Sequence, residues 1–249
     1  MASSRKKTIL ITGTSTSSIG ASLAASFASL GPKYHIYATA RDPGKIPASL
    51  SSLPNVTVLA LDVASPDSIS AAVASVSEGL DILINNAGIG YTTPLLDASL
   101  PRAQALFDVN LFARVIQAFS PLLIKSKGKV VNISSEGAVV YTPWIGVYSS
   151  SKAALNTLTD TLRLELQPLG VKVMGVMVGT VATKFHQNEA EVTLPRESRY
   201  RVIEGTIAAW GRGIKGPEGG GVEELAEGLV KEILGDDKRW VWIGRNSTE

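Results

Sequence analysis

The sequence predicts an α/β protein, a single doubly wound domain with a mostly parallel seven-stranded sheet and helices on both faces. Three observations predict it. Short β-branched runs alternate with longer stretches of helical periodicity almost from end to end, the pattern of consecutive βαβ units. Most of the short runs are nearly continuous in apolar residues, as strands covered on both faces require. The chain has 249 residues, 45% hydrophobic and 18% charged, enough for one large α/β unit with a substantial core.

The first strand candidate, residues 8–12, leads through a glycine-bearing turn into a helix at 19–30. Strands at 35–39 and 56–61, a helix at 65–76 and a strand at 82–85 follow. Beyond them come a helix at 101–124, a strand at 130–133 and a helix at 147–167. That last helix shows its period most clearly: Leu155, Leu158, Leu162 and Leu166 line one face, and Pro168 and Gly170 end it. A strand at 171–178, a helix at 222–234 and a strand at 240–243 complete the series. The irregular stretch 184–221 is too long for a connector and reads as a substrate lid carrying His186, Tyr200 and Trp210. The glycine-rich run 216–221 reads as a hinge. It is no phosphate loop, because Glu223 and Glu224 open the next helix, where they suit the helix dipole and would repel phosphate.

Composition excludes several function classes. A net charge of +2 and a basic run limited to Arg5-Lys6-Lys7 give no footprint for nucleic acid. The absence of cysteine removes disulfides, thiolate nucleophiles and cysteine metal sites, and fits a reducing, cytoplasmic setting. The two histidines, His35 and His186, stand far apart in sequence, so no catalytic metal is expected. The apolar segment 8–11 is followed by a polar turn and reads as a buried strand rather than a signal peptide. No apolar run approaches the length of a bilayer span. The triplet Asn132-Ile133-Ser134 carries little weight as a glycosylation signal without a secretory context.

The turn Thr12-Gly13-Thr14-Ser15-Thr16-Ser17-Ser18-Ile19-Gly20 sits between a strand and a helix. A glycine there permits a tight turn, a later one permits close helix packing, and the helix N-terminus offers free amides to a pyrophosphate. Ser17 and Ser18 stand where such loops usually have glycine, and their hydroxyls can donate to phosphate. After the second strand, Arg41 presents a guanidinium where a carboxylate would bind a free ribose hydroxyl, which favours NADP(H) over NAD(H). Asp42 follows at once, and a surface Arg41–Asp42 turn is the bland alternative. Asp62 can take the adenine amino group or cap the next helix. Asn85-Asn86-Ala87-Gly88 ends the fourth strand at the sheet edge where ligands bind in open parallel folds.

Tyr148 and Lys152 open the periodic helix four residues apart and share a face. Ketone reduction needs a proton donor that also serves as base in reverse. A free tyrosine has a pKa near 10, and bringing it to about 7 requires roughly 4 kcal/mol of phenolate stabilisation. The Lys152 cation and an oxidised nicotinamide ring in a water-poor cleft can supply it.

With the glycine turn, Asn85–Gly88, Asn110 in Phe107-Asp108-Val109-Asn110, Ser134-Ser135, Tyr148 and Lys152 in this order along nearly the whole chain, the sequence resembles a short-chain dehydrogenase/reductase of ordinary-length Rossmann type. The region between Asn85 and Lys152 is most similar to fungal acyl-dihydroxyacetone-phosphate-type reductases and steroid-dehydrogenase-like members. The resemblance implies that Tyr148 donates and accepts the proton, Lys152 lowers its pKa and holds the nicotinamide ribose, and Ser135, thirteen residues before the tyrosine, polarises the substrate oxygen. Asn110 would hold a relay water. Gly13, Ser15, Ser18, Ile19, Arg41, Asp62, Val63, Asn86, Ala87 and Gly88 would bind the cofactor. Val181 and Thr183 would take the carboxamide, with Val178 in a position where the family usually has proline.

These implications make the chain an NADP(H)-dependent ketone reductase or alcohol dehydrogenase, acting on a bulky, apolar or aromatic small molecule in lipid or secondary metabolism. Ser135 and Tyr148 would hold its reacting oxygen, and Tyr91, Tyr141, Trp144, Phe185 and Trp210 would rim its pocket. The alternatives are an idle NADP(H)-binding sensor or scaffold, and an epimerase or dehydratase on the same fold. The family also implies a homodimer or homotetramer, and peripheral membrane or lipid-droplet attachment stays open.

Overall fold

In the computed structural model, residues 5–76, 79–189, 191–214 and 219–245 are described. The strands are β1 (Lys7–Thr12), β2 (Tyr34–Ala40), β3 (Val56–Ala60), β4 (Ile82–Asn85), β5 (Lys129–Ile133), β6 (Lys172–Val178) and β7 (Trp240–Ile243). They form one sheet in the order β3-β2-β1-β4-β5-β6-β7, every neighbouring pair parallel. Parallel neighbours need long crossovers. These run through α1 (Ile19–Ser29), the one-turn α2 (Ala48–Ser51), α3 (Pro66–Ser75), α4 (Leu100–Asn110), α5 (Ala113–Ser126), α6 (Gly146–Leu166), α7 (Glu204–Gly211) and α8 (Val222–Leu234).

The helices cover the sheet on both sides, and each side has its own core. Leu23, Phe27, Leu225 and Leu229 of α1 and α8 pack on Ile9, Ile11 and Ile36. On the opposite face Ile69, Phe119, Leu155 and Leu166, from α3, α5 and α6, pack on Leu10, Leu83 and Val130. The apolar strand pattern follows directly, since alternate side chains of one strand enter different cores. Between β1 and β4 the order of strands reverses, and the crevice there is the topological switch point of an open parallel sheet.

The expected helix 101–124 is two helices. At Phe112 the backbone is left-handed, with φ 58°, and its ring is fully buried. The kink serves two burial demands at once: Asn110 reaches the turn after β4, while Phe112 enters the core below α6. Apolar periodicity continues through the break and conceals it. Leu100–Ser126 as a whole has the length and composition to cross a bilayer. Its interruption at Phe112 and the Arg114–Asp108 ion pair at 3.0 Å across that break fit a surface-packed helix pair instead.

The stretch expected to be irregular holds α7 and two short 3₁₀ turns, His186–Asn188 and Arg201–Ile203. Of the lid reading, residues 190 and 215–218 lie outside the described residues, and with them residues 216–218 of the 216–221 hinge. Asn132 is fully buried in the sheet, where a glycan has no room.

Candidate active site

The glycine turn is built by steric necessity. Gly13 has φ 74°, and a β-carbon on it would stand 2.9 Å from the Ala87 Cα. On Gly20 it would stand 2.5 Å from both the Asn86 Nδ2 and the Gly13 carbonyl oxygen. Ser18 caps α1: its Oγ accepts from the Ala21 N–H at 3.1 Å and donates to the Gly13 carbonyl at 3.0 Å. Ser17 takes the left-handed conformation, φ 61°, that a glycine would take without strain. Ser15 bends the loop, its carbonyl accepting from the Ser18 N–H at 3.1 Å, and Ile19 starts α1 against the core.

Thr12 was not singled out by the sequence reading, yet it ties β1 to β4. Its Oγ1 accepts from the Asn86 and Ala87 N–H groups, both at 2.9 Å. The Asn86 amide returns the tie, donating to the Thr12 and Gly13 carbonyls at 2.8 and 3.1 Å. The signal was available, since a buried threonine at a strand's end before a glycine is placed to hydrogen-bond the neighbouring strand's turn.

Arg41 follows β2 directly and is exposed. The Asp42 carboxylate caps the next turn, accepting from the Gly44 N–H at 3.0 Å, and Thr16 ties that turn to the glycine loop through the Lys45 carbonyl at 2.9 Å. Asp62 accepts from the Ala64 N–H at 3.0 Å, whereas Ser65 is the residue that caps α3. The capping alternative for Asp62 is thereby removed. Val63 beside it is buried. A glycine cradle, a capped helix N-terminus and three strand ends converge on the switch point, and this set of groups fits a dinucleotide.

Tyr148 and Lys152 lie in the first two turns of α6, facing β5 and the turn after β4. The Ser135 hydroxyl accepts from the Gly137 N–H at 3.1 Å and lies beside the Tyr148 ring: a β-carbon on Gly137 would be 3.4 Å from the Ser135 Oγ and 3.5 Å from the Tyr148 Cε1. Ser134 instead donates to the Asn156 side chain at 2.6 Å, so the two serines face different neighbours. Burial pushes the Tyr148 phenol up to about 12; the neighbouring Ser135 hydroxyl opposes this, and the charges of Glu189 and Glu136 add to it. Burial itself holds the Lys152 ammonium down at about 8. Lys152 donates to the Ile133 carbonyl at 2.9 Å and lies 6.0 Å from the centre of the Tyr148 ring. The expected lowering of the tyrosine pKa by lysine is thus not built into the protein alone. Lys152 spends a donor on the sheet, and Tyr148 is held as a protonated acid.

Asn110 is fully buried, and its amide grips Ile89 at both ends, accepting from the N–H at 3.0 Å and donating to the carbonyl at 3.1 Å. Its second N–H goes to the Ser151 Oγ at 3.0 Å. A relay water would have the one remaining lone pair of its oxygen. Gly88 sits beside it: a β-carbon there would be 3.5 Å from the Asn110 Oδ1 and 3.8 Å from the Lys152 Nζ.

On the substrate side, Phe185 packs on the Tyr148 ring with centroids 5.8 Å apart, and Trp144 meets Trp210 of α7 edge-on at 6.3 Å. Trp144 has φ 67°, a conformation that a bulky residue adopts only when its surroundings impose it, and its carbonyl accepts from the Thr93 N–H at 2.7 Å. Tyr91 is 4% exposed, its hydroxyl accepts from the Ser99 N–H at 2.8 Å, Arg102 covers its face, and it lines a cavity of about 360 Å³ with Thr92, Asp97, Arg102 and Leu194. Tyr141 is 99% exposed and walls nothing. Val181 and Thr183 follow β6 at the same edge, where the Thr183 hydroxyl accepts from the Phe185 N–H at 3.2 Å. Two carboxylates went unnoticed in the sequence. Glu136 accepts from the Thr180 hydroxyl at 3.1 Å, and burial raises its pKa. Glu189 accepts from the Thr92 N–H at 3.1 Å. Among the described residues no group of histidines and carboxylates suits a metal ion.

The sequence model of the short chain dehydrogenase family matches residues 7–193, a span that includes the glycine turn, Asn110, Ser135, Tyr148 and Lys152. The chain belongs to the short-chain dehydrogenase family. A short-chain dehydrogenase of Penicillium crustosum is 42% identical over 235 residues, covering 92% of this chain and 85% of its own. One from Talaromyces islandicus is 38% identical over 250 residues, covering 97% and 87%. Among solved structures, a short-chain dehydrogenase from Streptomyces avermitilis superposes with a TM-score of 0.82 at 25% identity, covering 99% of this chain and 90% of that one. The family is one of Rossmann-type oxidoreductases that bind a nicotinamide cofactor, as the switch-point crevice and its glycine turn had indicated.

Proposed function

We propose that this short-chain dehydrogenase is an NADP(H)-dependent ketone reductase, working in reverse as an alcohol dehydrogenase, on a bulky and mainly apolar or aromatic substrate. The observation that carries the reading is the juxtaposition of the Ser135 hydroxyl, the Tyr148 ring and Lys152 at the sheet edge above the glycine turn. Two neighbouring hydroxyls can both donate to a carbonyl oxygen as negative charge develops on it.

A nicotinamide bound along Gly13, Ser18, Asn86 and Lys152 would supply the hydride. The rest falls to the chain. The Ser135 hydroxyl polarises the carbonyl, and Tyr148 gives its proton to the oxygen as the alcohol forms. A phenol held near 12 by burial is reliably protonated at neutral pH, which suits the reducing direction. Lys152, anchored on Ile133, keeps its charge at neutral pH and stands one turn from the phenol that must lose its proton. Asn110 positions Ile89 and Gly88 and, through Ser151, the first turns of α6. Phe185 and the Trp144–Trp210 pair exclude water on the substrate side. Arg41, which forms no ion pair among the described residues, favours the 2′-phosphate of NADP(H) over a free hydroxyl.

The test is a panel of bicyclic and aromatic ketones with NADPH and with NADH. Consumption of NADPH with one or more of them supports the reading, and failure of every ketone and alcohol with either cofactor overturns it.

A further inference from the structure

A cavity of about 410 Å³ opens within the lid, lined among others by His186, Glu189, Glu191, Val192, Arg212 and Ile214. It has the size of a small-molecule pocket, and no step of the reaction described above uses its polar groups. Glu189 is the unusual member, a carboxylate whose side chain is only 7% exposed. One oxygen accepts from the Thr92 N–H at 3.1 Å; the other lies 3.8 Å from the His186 Nδ1, beyond hydrogen-bond reach. An ionised carboxylate has about four acceptor positions, and buried charge is tolerated where partners fill them. Here most are open.

The Glu189 carboxylate rests directly on the turn after β4: a β-carbon at Gly90 would stand 2.6 Å from the Glu189 Cδ. Gly90 lies two residues beyond Gly88, next to Lys152 and Asn110. From this seat Glu189 lines the cavity on one side, while on the other its charge is felt at the Tyr148 phenol. The Phe185 ring joins the two places, with its centroid 5.8 Å from that of Tyr148 and 5.6 Å from that of His186 on the cavity wall.

We propose that Glu189 is the substrate-recognition carboxylate of this enzyme. It accepts a hydrogen bond from a hydroxyl or ammonium group that the substrate carries away from its reacting carbonyl, and it repels substrates with a carboxylate in that place. The inference rests on the ketone-reductase reading and narrows its substrate class to carbonyl compounds with a remote hydrogen-bond donor.

The experiment measures binding rather than turnover. Protein loaded with NADP⁺ is titrated calorimetrically with 1-tetralones carrying a hydroxyl, a methyl or a carboxylate at ring position 6 or 7, in the wild type and in Glu189→Gln, which keeps the shape and the Thr92 hydrogen bond. A charge-assisted hydrogen bond predicts that the wild type binds the hydroxyl compound about tenfold more tightly than the methyl compound and the carboxylate most weakly. In Glu189→Gln the carboxylate should gain about tenfold relative to the methyl compound, and the hydroxyl preference should shrink. Unchanged ratios among the three would overturn the proposal. So would an equal change in the affinity of all three, which would make Glu189 a plug or a strut of the lid. The predicted pattern without turnover of any ketone would remove the reductase reading and leave Glu189 as a recognition residue; turnover with unchanged ratios would do the reverse.

Discussion

Lys152 is buried to 4% exposure, and burial lowers its pKa from 10.5 to about 8. The unfolded chain therefore binds this proton more tightly than the folded one, and stability rises with pH wherever only the unfolded chain is protonated, between about 8 and 10.5. Below about pH 8 both states carry the proton and the full penalty of the buried charge applies, about 3 kcal/mol for this shift. Between pH 7.5 and 9.5 linkage returns about 2 kcal/mol of that penalty. Tyr148 acts in the opposite sense. Its pKa is raised to about 12, so its contribution is fully present below 10 and is lost above, outside this window. The perturbation is Lys152→Met, which removes the ionisation while keeping an unbranched side chain. The assay is urea unfolding of cofactor-free protein at both pH values. The difference in pH response between wild type and variant should be about 2 kcal/mol, with the wild type gaining stability at the higher pH. Equal responses would refute the claim that Lys152 is a desolvated cation held by the fold.

Thr12→Val keeps the volume and leaves two half-buried N–H groups, of Asn86 and Ala87, without their acceptor. It should cost about 2–4 kcal/mol by urea unfolding and weaken cofactor binding, because both strand ends of the crevice lose their tie. Arg41→Ala should raise the Kd for NADPH about 10–100-fold and leave that for NADH within about twofold, as fluorescence titration would show; equal effects would assign the 2′-phosphate elsewhere. Glu136→Gln removes a charge that raises the Tyr148 pKa, so in ketone reduction, where the phenol must be protonated, the alkaline limb of kcat should move to lower pH. A limb that stays in place would separate Glu136 from Tyr148.

The parallel sheet was legible because strands buried on both faces write their apolar character continuously into the chain, and the glycine turn because only glycine relieves the approach of Gly13 and Gly20 to Asn86 and Ala87. Tyr148 and Lys152 could be paired by helical spacing alone. What escaped the sequence depends on partners distant in the chain. Nothing local shows that Lys152 bonds to Ile133, that Tyr91 lies under Arg102, or that Gly90 makes room for Glu189 almost a hundred residues later. The break at Phe112 was hidden because apolar spacing runs unchanged through a residue whose left-handed backbone is imposed by tertiary packing. Trp144 is a similar case, as its strained conformation leaves no mark in residue type.

The central claim is that the Tyr148 phenol delivers the proton when a ketone is reduced. Tyr148→Phe removes one oxygen and keeps the ring on Phe185. The account predicts that its kcat for a reducible ketone with NADPH falls by about 10²–10⁴ while the Kd for NADPH changes less than about threefold. Turnover within tenfold of the wild type would contradict it.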